Sequence, residues 1–186
     1  MATYYVNGAT GNDSNSGTLA SPFLTIGFGL SVLVAGDTLN IRTGTYNEAI
    51  NETQIVTGTL GSPITVRNYL AEVVTLRPTA TCKVLRLETS ARSYLVFQGL
   101  IFDQSLATCV AEPVISIDAA QSNITLQSCE VKEGAANGVS IAGSNHTVTS
   151  LIAHDCAGVG FSAMAKDRGV QREFPYCLLP IATMRP

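Results

Sequence analysis

Apolar and polar residues alternate with period two along most of the chain, in short runs separated by Gly, Asn, Ser and Asp. Thr38-Leu-Asn-Ile-Arg, Pro63-Ile-Thr-Val-Arg, Val73-Val-Thr-Leu and Val84-Leu-Arg-Leu each read as a strand with one buried face. Farther on, one pattern recurs three times, at Ser93-Tyr-Leu-Val-Phe-Gln-Gly-Leu-Ile-Phe-Asp, at Ser122-Asn-Ile-Thr-Leu-Gln-Ser-Cys-Glu-Val-Lys-Glu and at Ser144-Asn-His-Thr-Val-Thr-Ser-Leu-Ile-Ala-His-Asp. The last two copies start 22 residues apart and the first two 29 apart, so the earlier interval predicts an insertion. Superposing the copies stacks Asn123 on Asn145, Phe97 on Leu126 on Val148, and Phe102 on Val131 on Ala153, apolar on apolar throughout the core positions. Val114-Ile-Ser-Ile, Gly138-Val-Ser-Ile and Gly158-Val-Gly-Phe predict a second strand in each coil. Such short, β-branched segments are not helices, and their period winds them into a solenoid instead of pairing them as hairpins. About five or six coils fit between residues 37 and 163, giving a length of roughly 25 Å at ~4.8 Å per strand.

A bare terminal coil exposes core and unpaired backbone, so the first coil needs a cap. Ser21-Pro22 supplies an N-cap residue followed by proline, and Phe23, Ile26, Leu30, Leu33 and Val34 recur at helical spacing. The prediction is a short capping helix, weakened by about 1 kcal/mol at each of Gly27 and Gly29 and therefore held by packing. Three segments result: 1–36, an N-terminal strand, turn loop and capping helix; 37–163, the coils; and 164–186, where the pattern stops, as a C-terminal cap or a truncated end.

A chain of 186 residues suits one such unit. Charged residues make up 13%, against a usual share of about 25%, so the surface is polar through hydroxyls and amides. A net charge of −3 without like-charge blocks argues against a nucleic-acid partner, and the lack of a basic amphipathic stretch argues against a membrane partner. The first residues lack the basic and apolar regions of a secretory signal. The setting expected for such a chain is nevertheless extracellular, on a cell surface or on a phage particle. The cysteines are five in number and show no C-x-x-C spacing, so they predict neither a disulfide framework nor a zinc site, but small buried side chains. No feature of the sequence specifies an oligomeric state.

Several segments together carry a resemblance. These are Tyr4-Tyr-Val, Gly11-Asn-Asp-Ser-Asn-Ser-Gly-Thr, Ser21-Pro-Phe, Thr25-Ile, Ala35-Gly-Asp-Thr-Leu, Arg42-Thr-Gly-Thr-Tyr and Ser62-Pro-Ile-Thr-Val-Arg followed by Val73-Val-Thr-Leu. With them the chain resembles the opening of right-handed β-helix proteins of the pectate-lyase-like group. The resemblance implies an all-β fold, a right-handed parallel β-helix with a short N-terminal capping helix. It implies a polysaccharide partner and does not select a reaction, since the group holds lyases, hydrolases, epimerases and phage spikes. The leading expectation is a carbohydrate-associated module with a polar sheet face laid along an extended glycan. The alternatives are the N-terminal part of a polysaccharide lyase or glycoside hydrolase, and a structural or adhesive segment such as part of a phage tail spike.

Extending the repeat alignment puts Asp103, Lys132 and His154 in one column and Gln104, Glu133 and Asp155 in the next. Lys or His can take a proton and carboxylates can hold Ca2+ against a uronic acid, so Asp103, Lys132, Glu133, His154 and Asp155 are the candidate catalytic residues. Charges gathering where strands leave a sheet account for the same column without chemistry. Arg42 and Arg67, with Arg86 extending them, form a second expected column able to grip carboxylates. The loop Asp13-Ser-Asn-Ser-Gly begins like a calcium loop but lacks the closing carboxylate, and turn formation explains it as well. His146 and His154 fall in different columns without a partner at ligand spacing. No cofactor is firmly implied, Ca2+ being the one ion the carboxylates suggest, and no metal site is expected.

Overall fold

The structure is a computed structural model, and it describes residues 1–164. The expected 164–186 tail lies outside the described residues apart from Met164, which ends the last strand. In chain order the elements are β1 (Thr3–Val6), α1 (Ile26–Ser31), β2 (Thr38–Ile41), β3 (Gly44–Tyr46), β4 (Ile50–Asn51) and β5 (Ile64–Asn68). After a 3-10 turn at Tyr69–Ala71 come β6 (Val74–Leu76), β7 (Leu85–Leu87), β8 (Ser93–Gln98), β9 (Ile101–Asp103) and β10 (Ile115–Ile117). The series ends with β11 (Ser122–Gln127), β12 (Glu130–Lys132), β13 (Val139–Ala142), β14 (Thr147–Thr149), β15 (Ile152–His154) and β16 (Phe161–Met164). They form three sheets: β1-β2-β5-β8-β11-β14, β3-β6-β9-β12-β15 and β4-β7-β10-β13-β16, here the first, second and third. Every pairing between these strands is parallel, so the chain winds through the three sheets in turn. This is the expected β-helix. Its first sheet starts with β1, inside the segment assigned to the cap.

Inward residues stack in continuous columns. In the first sheet Leu39, Val66, Phe97, Leu126 and Val148 lie on one another, and in the second Leu76, Phe102, Val131 and Ala153. All are buried, and the stacking of Phe97, Leu126, Phe102 and Val131 follows the sequence alignment residue for residue. The bend from first to second sheet needs a left-handed residue in each of these coils: Gly99 (φ 68°), Ser128 (φ 52°) and Ser150 (φ 51°). Only the first of these must be glycine for space, because a Cβ on Gly99 would lie 2.2 Å from Asn68 Oδ1. Asn123 (φ 53°) and Asn145 (φ 56°) share the same backbone conformation at the start of β11 and before β14, consistent with asparagine's tolerance of it.

Three local expectations change. First, α1 starts after Thr25, whose Oγ1 accepts from Phe28 N–H at 3.2 Å, and not at Ser21-Pro22. Asp13 explains the shift: its carboxylate accepts from Leu24 N–H, Thr25 N–H and the Thr25 hydroxyl at 2.8–2.9 Å. Glu48 takes the next two N–H groups, of Ile26 and Gly27, at 3.0 and 2.9 Å. The Asp13 loop is thus a helix-start clamp, and Val34 projects to solvent while Phe23, Ile26, Leu30 and Leu33 are buried. Second, Gly158-Val-Gly precedes the last strand, which starts at Phe161 opposite Val139 because the 22-residue register sets the pairing. Third, Cys82 and Cys109 form a disulfide, contrary to the reading of the cysteines as unpaired small side chains. It joins the β6–β7 and β9–β10 connections of successive coils, and most of the insertion in the longer coil lies in the second of these. Cysteine spacing did not reveal it because the two partners face each other only after the chain has wound once. Cys129 and Cys156 are buried as expected, and burial pushes the Cys129 thiol up to about 11. No helix among the described residues is long and apolar enough to cross a membrane.

The disulfide closes a loop with a sequence separation of 27. Chain entropy gives such a closure about 3.5 kcal/mol. The double variant Cys82→Ser/Cys109→Ser is expected to lose roughly that much stability in urea unfolding, and a loss near zero would mean that the connections hold each other without the bond.

Candidate functional site

The outer column of the second sheet forms as aligned: Lys132 lies between Asp103 and His154 in register. The geometry shows what holds it. Lys132 Nζ lies 3.8 Å from Asp103 Oδ2 and 3.7 Å from Glu130 Oε1. Asp103 is buried under its own connection and accepts from Ser105 N–H at 2.9 Å. His154 is clamped, its Nδ1 at 2.6 Å from Asp155 Oδ2 and its Nε2 at 3.2 Å from Glu130 Oε1. The hydrogen bond to Asp155 raises its pKa; burial opposes this and the Glu130 bond adds to it. With both ring nitrogens engaged, His154 is poorly placed to act as a base. Glu130, absent from the sequence-derived candidates, is the residue that joins Lys132 to His154; its outward place on the same strand as Lys132 was the available signal. Glu133 and Asp155 line an open depression of about 470 Å3. Gln104 is structural: its amide donates to the Cys82 and Glu112 carbonyls and accepts from Ala135 N–H, binding three coils together.

The expected arginine column does not form. The register sets Arg67 opposite Asn40, to whose Oδ1 its Nε donates at 2.9 Å, because the first coil is longer than the 25-residue spacing assumed. Arg42 falls one step farther along the face, donates through Nε to both Glu72 oxygens at 3.0 Å, and lies 5.2 Å above the Tyr69 ring. Arg86 belongs to the third sheet.

That third sheet holds the constellation the sequence reading missed. Its outward residues Asn51, Arg86, Ser116, Ser140 and Ser162 form one column. Beside it opens a groove of about 340 Å3, lined by Asn51, Lys83, Arg86 and Glu112 among others and walled by the disulfide residue Cys82. Lys83 Nζ contacts Glu88 at 2.6 Å and Glu112 at 3.0 Å, and the Ser116 hydroxyl donates to Glu88. Burial works against the Lys83 charge, but the two carboxylates outweigh it and raise its pKa. Burial likewise works to raise the Glu88 pKa, and the bonds from Lys83 and Ser116 bring it below the usual range. Arg86 differs from both. Its Nε is 3.8 Å from Glu52, its charge also helps lower the Glu88 pKa, and it lines the groove without making a hydrogen bond within the described residues. Glu52 itself is fully buried, one oxygen held by Thr89 and the other without a hydrogen-bond partner in the described structure. The members of this cluster come from strands and connections of different coils, and only the wound structure brings them together. Among the described residues, no three His, Cys, Asp or Glu side chains converge as a metal set.

Parallel three-sheet winding, a helical N-terminal cap and outward polar columns define a right-handed parallel β-helix of the pectate-lyase-like fold. Solved structures share it. A pectate lyase, Pel9A, aligns with TM-score 0.55 and 14% identity over 83% of this chain and 48% of its own. A rhamnogalacturonan lyase aligns with TM-score 0.55 and 14% identity over 91% of this chain and 60% of its own. A GH136 lacto-N-biosidase from Eubacterium ramulus aligns with TM-score 0.52 and 16% identity over 91% of this chain and 29% of its own. In sequence, residues 9–57 match the family model described as protein of unknown function DUF1565, the stretch that contains the Asp13, Thr25 and Glu48 clamp. The uncharacterized protein YwoF of Bacillus subtilis (strain 168) is 32% identical over 142 residues, 73% of this chain. The chain spans about a quarter of that relative's length, 25%.

The cross-coil clamp on His154 has a pH signature. A raised folded pKa gives stability that is full below the unfolded value of about 6.5 and is lost as pH rises through the folded value. His154→Gln is therefore expected to lower the melting temperature by roughly 2–4 °C near pH 5, about 1 kcal/mol or less, and by less at pH 8. A difference independent of pH would sink the clamp.

Proposed function

We propose that this chain is a carbohydrate-associated β-helix module that takes an acidic polysaccharide along the third sheet, with Arg86 gripping a sugar carboxylate. The observation that carries this reading is Arg86 itself, a cation at the groove wall with no hydrogen bond among the described residues. A guanidinium matches a carboxylate with two parallel hydrogen bonds, and such charge-assisted bonds are the strong ones. Beyond Ser116, whose buried hydroxyl is held by Glu88, Ser140 and Ser162 continue the column along the sheet, suited to the neighbouring sugar hydroxyls. The names of the aligned structures, two lyases and a lacto-N-biosidase, support a carbohydrate setting. The Cys82–Cys109 bridge supports an oxidising, extracellular one.

A second reading, polysaccharide lyase or glycoside hydrolase, rests on Glu88 and Glu112, two carboxylates facing the same ammonium in the groove. A hydrolase acid needs a raised pKa, and a lysine acting as a lyase base must be unprotonated at working pH. Lys83 holds Glu88 low and is itself held protonated, so binding is the better supported reading.

Affinity electrophoresis in gels containing polygalacturonate or alginate tests the proposal. The chain is expected to be retarded, and Arg86→Ala to weaken binding roughly tenfold or more, as for loss of a charge-assisted bidentate contact. No retardation in any acidic gel, or an unaffected Arg86→Ala, refutes it. Ultraviolet-absorbing or reducing products from the same polymers, with or without Ca2+, would move the assignment to the enzyme reading.

A further inference from the structure

We infer that the outer face of the first sheet is a second, separate glycan-binding face, suited to a neutral extended polysaccharide. The register aligns Tyr5, Asn40, Arg67, Gln98, Gln127 and Thr149 in one column through all six strands, with Asn40 buried and its Oδ1 taken by Arg67. A flanking column runs from Thr3 to Thr147, with threonine in every strand except at Val96. Arg67, Gln127, Thr3 and Thr147 are exposed. Six strands at ~4.8 Å give a straight polar strip roughly 25 Å long.

The chemistry of this strip differs from that of the groove. Amides and hydroxyls both donate and accept, as sugar hydroxyls do, whereas a carboxylate only accepts. The two columns hold a single formal charge, Arg67, and Asn40 already takes its Nε at 2.9 Å. A polymer with an anion on every sugar would meet one cation in six strands; a neutral one meets donors and acceptors in Gln98, Gln127, Thr149 and the flanking threonines.

An aromatic corner closes the N-terminal end of the strip. Tyr5 and Tyr69 meet edge to face with centroids 5.5 Å apart. Arg42 covers Tyr69 at 5.2 Å, and Glu72 fixes Arg42 while accepting from Thr43 N–H at 2.7 Å. The turn that carries Tyr69 holds two consecutive non-glycine residues in the left-handed region, Leu70 (φ 46°) and Ala71 (φ 60°), with Leu70 79% exposed. Left-handed backbone disfavours residues with a Cβ, and strain of this kind persists where surrounding contacts enforce it. The outcome is an aromatic pair, Tyr5 and Tyr69, beside a hydrogen-bonding strip, with Leu70 exposed in the adjacent turn. That pairing recognises a sugar, whose ring has an apolar face and polar edges.

Affinity electrophoresis of the whole chain in hydroxyethylcellulose, xyloglucan, mixed-linkage glucan and galactomannan tests this, with circular dichroism checking that each variant is folded. Retardation is expected in at least one neutral gel. Gln98→Ala/Gln127→Ala and Tyr5→Ala should each weaken it roughly fivefold, the scale of one or two lost hydrogen bonds or a stacking contact. Arg86→Ala should leave neutral binding unchanged and the Gln98/Gln127 variant should leave polygalacturonate binding unchanged, so failure of the groove and failure of this face are told apart. The proposal is overturned if no neutral polymer retards the folded chain, or if the Gln98/Gln127 variant binds like the parent. It is also overturned if light scattering finds a dimer that Gln98→Arg disperses, which would make the face a contact between copies.

Discussion

The parallel backbone ladder is the constraint from which the rest follows. In a solenoid each strand's N–H and C=O groups find partners only on the coils before and after it, so buried strands must keep one register from coil to coil. Variation in coil length is consequently expelled to the connections. The 29-residue coil and the 22-residue coil have the same strand register in the first and second sheets, and their difference lies in the 104–114 connection and in the turn before β11. Where the backbone leaves the ladder, buried side chains replace the missing partners. Gln104 joins three coils, Gln121 accepts from Arg92 N–H at 2.6 Å, and His146 accepts from Ile124 N–H while its other nitrogen meets the Ala142 carbonyl at 3.0 Å. Burial lowers the His146 pKa against those bonds, which suits a neutral ring that uses one nitrogen as donor and one as acceptor.

The same constraint decides how much was legible in the sequence. From residue 93 onward the pattern repeats with its turn residues, Ser and Asn, at fixed offsets, so superposing the copies reproduced the true register, including Lys132 between Asp103 and His154. Upstream, coil lengths differ and there is no repeated motif to anchor them. A spacing of 25 residues then put Arg42 over Arg67, while the ladder pairs Arg67 with Asn40. The missed groove has the same origin. Lys83, Glu88 and Glu112 lie in or beside connections of unequal length, and no period links them. Cys82 and Cys109 failed for this reason too. Helix-cap letters were misplaced on a different ground: Ser21-Pro22 satisfies a local rule, but the long-range carboxylates of Asp13 and Glu48 fix the start at Thr25.

Stacking also governs the electrostatics. Equivalent positions on successive coils are about 4.8 Å apart, so a charge in one coil is close to whatever the next coil places there. Among the described residues many charged groups are accordingly paired locally: Arg42 with Glu72, Lys83 with Glu88 and Glu112, Lys132 with Asp103 and Glu130, and His154 with Glu130 and Asp155. These clusters brace neighbouring coils. The Asp103–Lys132–His154 column, the best candidate by sequence, takes part in this bracing.

Arg86 and the first-sheet strip stand apart because each keeps hydrogen-bonding capacity that the fold does not use. Arg86 has a buried counter-charge in Glu52, close enough at 3.8 Å to hold the guanidinium in place, yet not hydrogen-bonded to it. A bound carboxylate would supply the bonds that Glu52 does not. The strip's capacity is carried along the axis by Gln98, Gln127, Thr149 and the threonine column, Asn40 being buried and bonded to Arg67, so it would suit a repeating ligand better than one charged group. The two faces belong to different sheets, so a single extended strand lying along the axis cannot occupy both. Their joint occupancy would bring two polymer segments of different charge together, and the rigidity of the ladder would fix the distance between them.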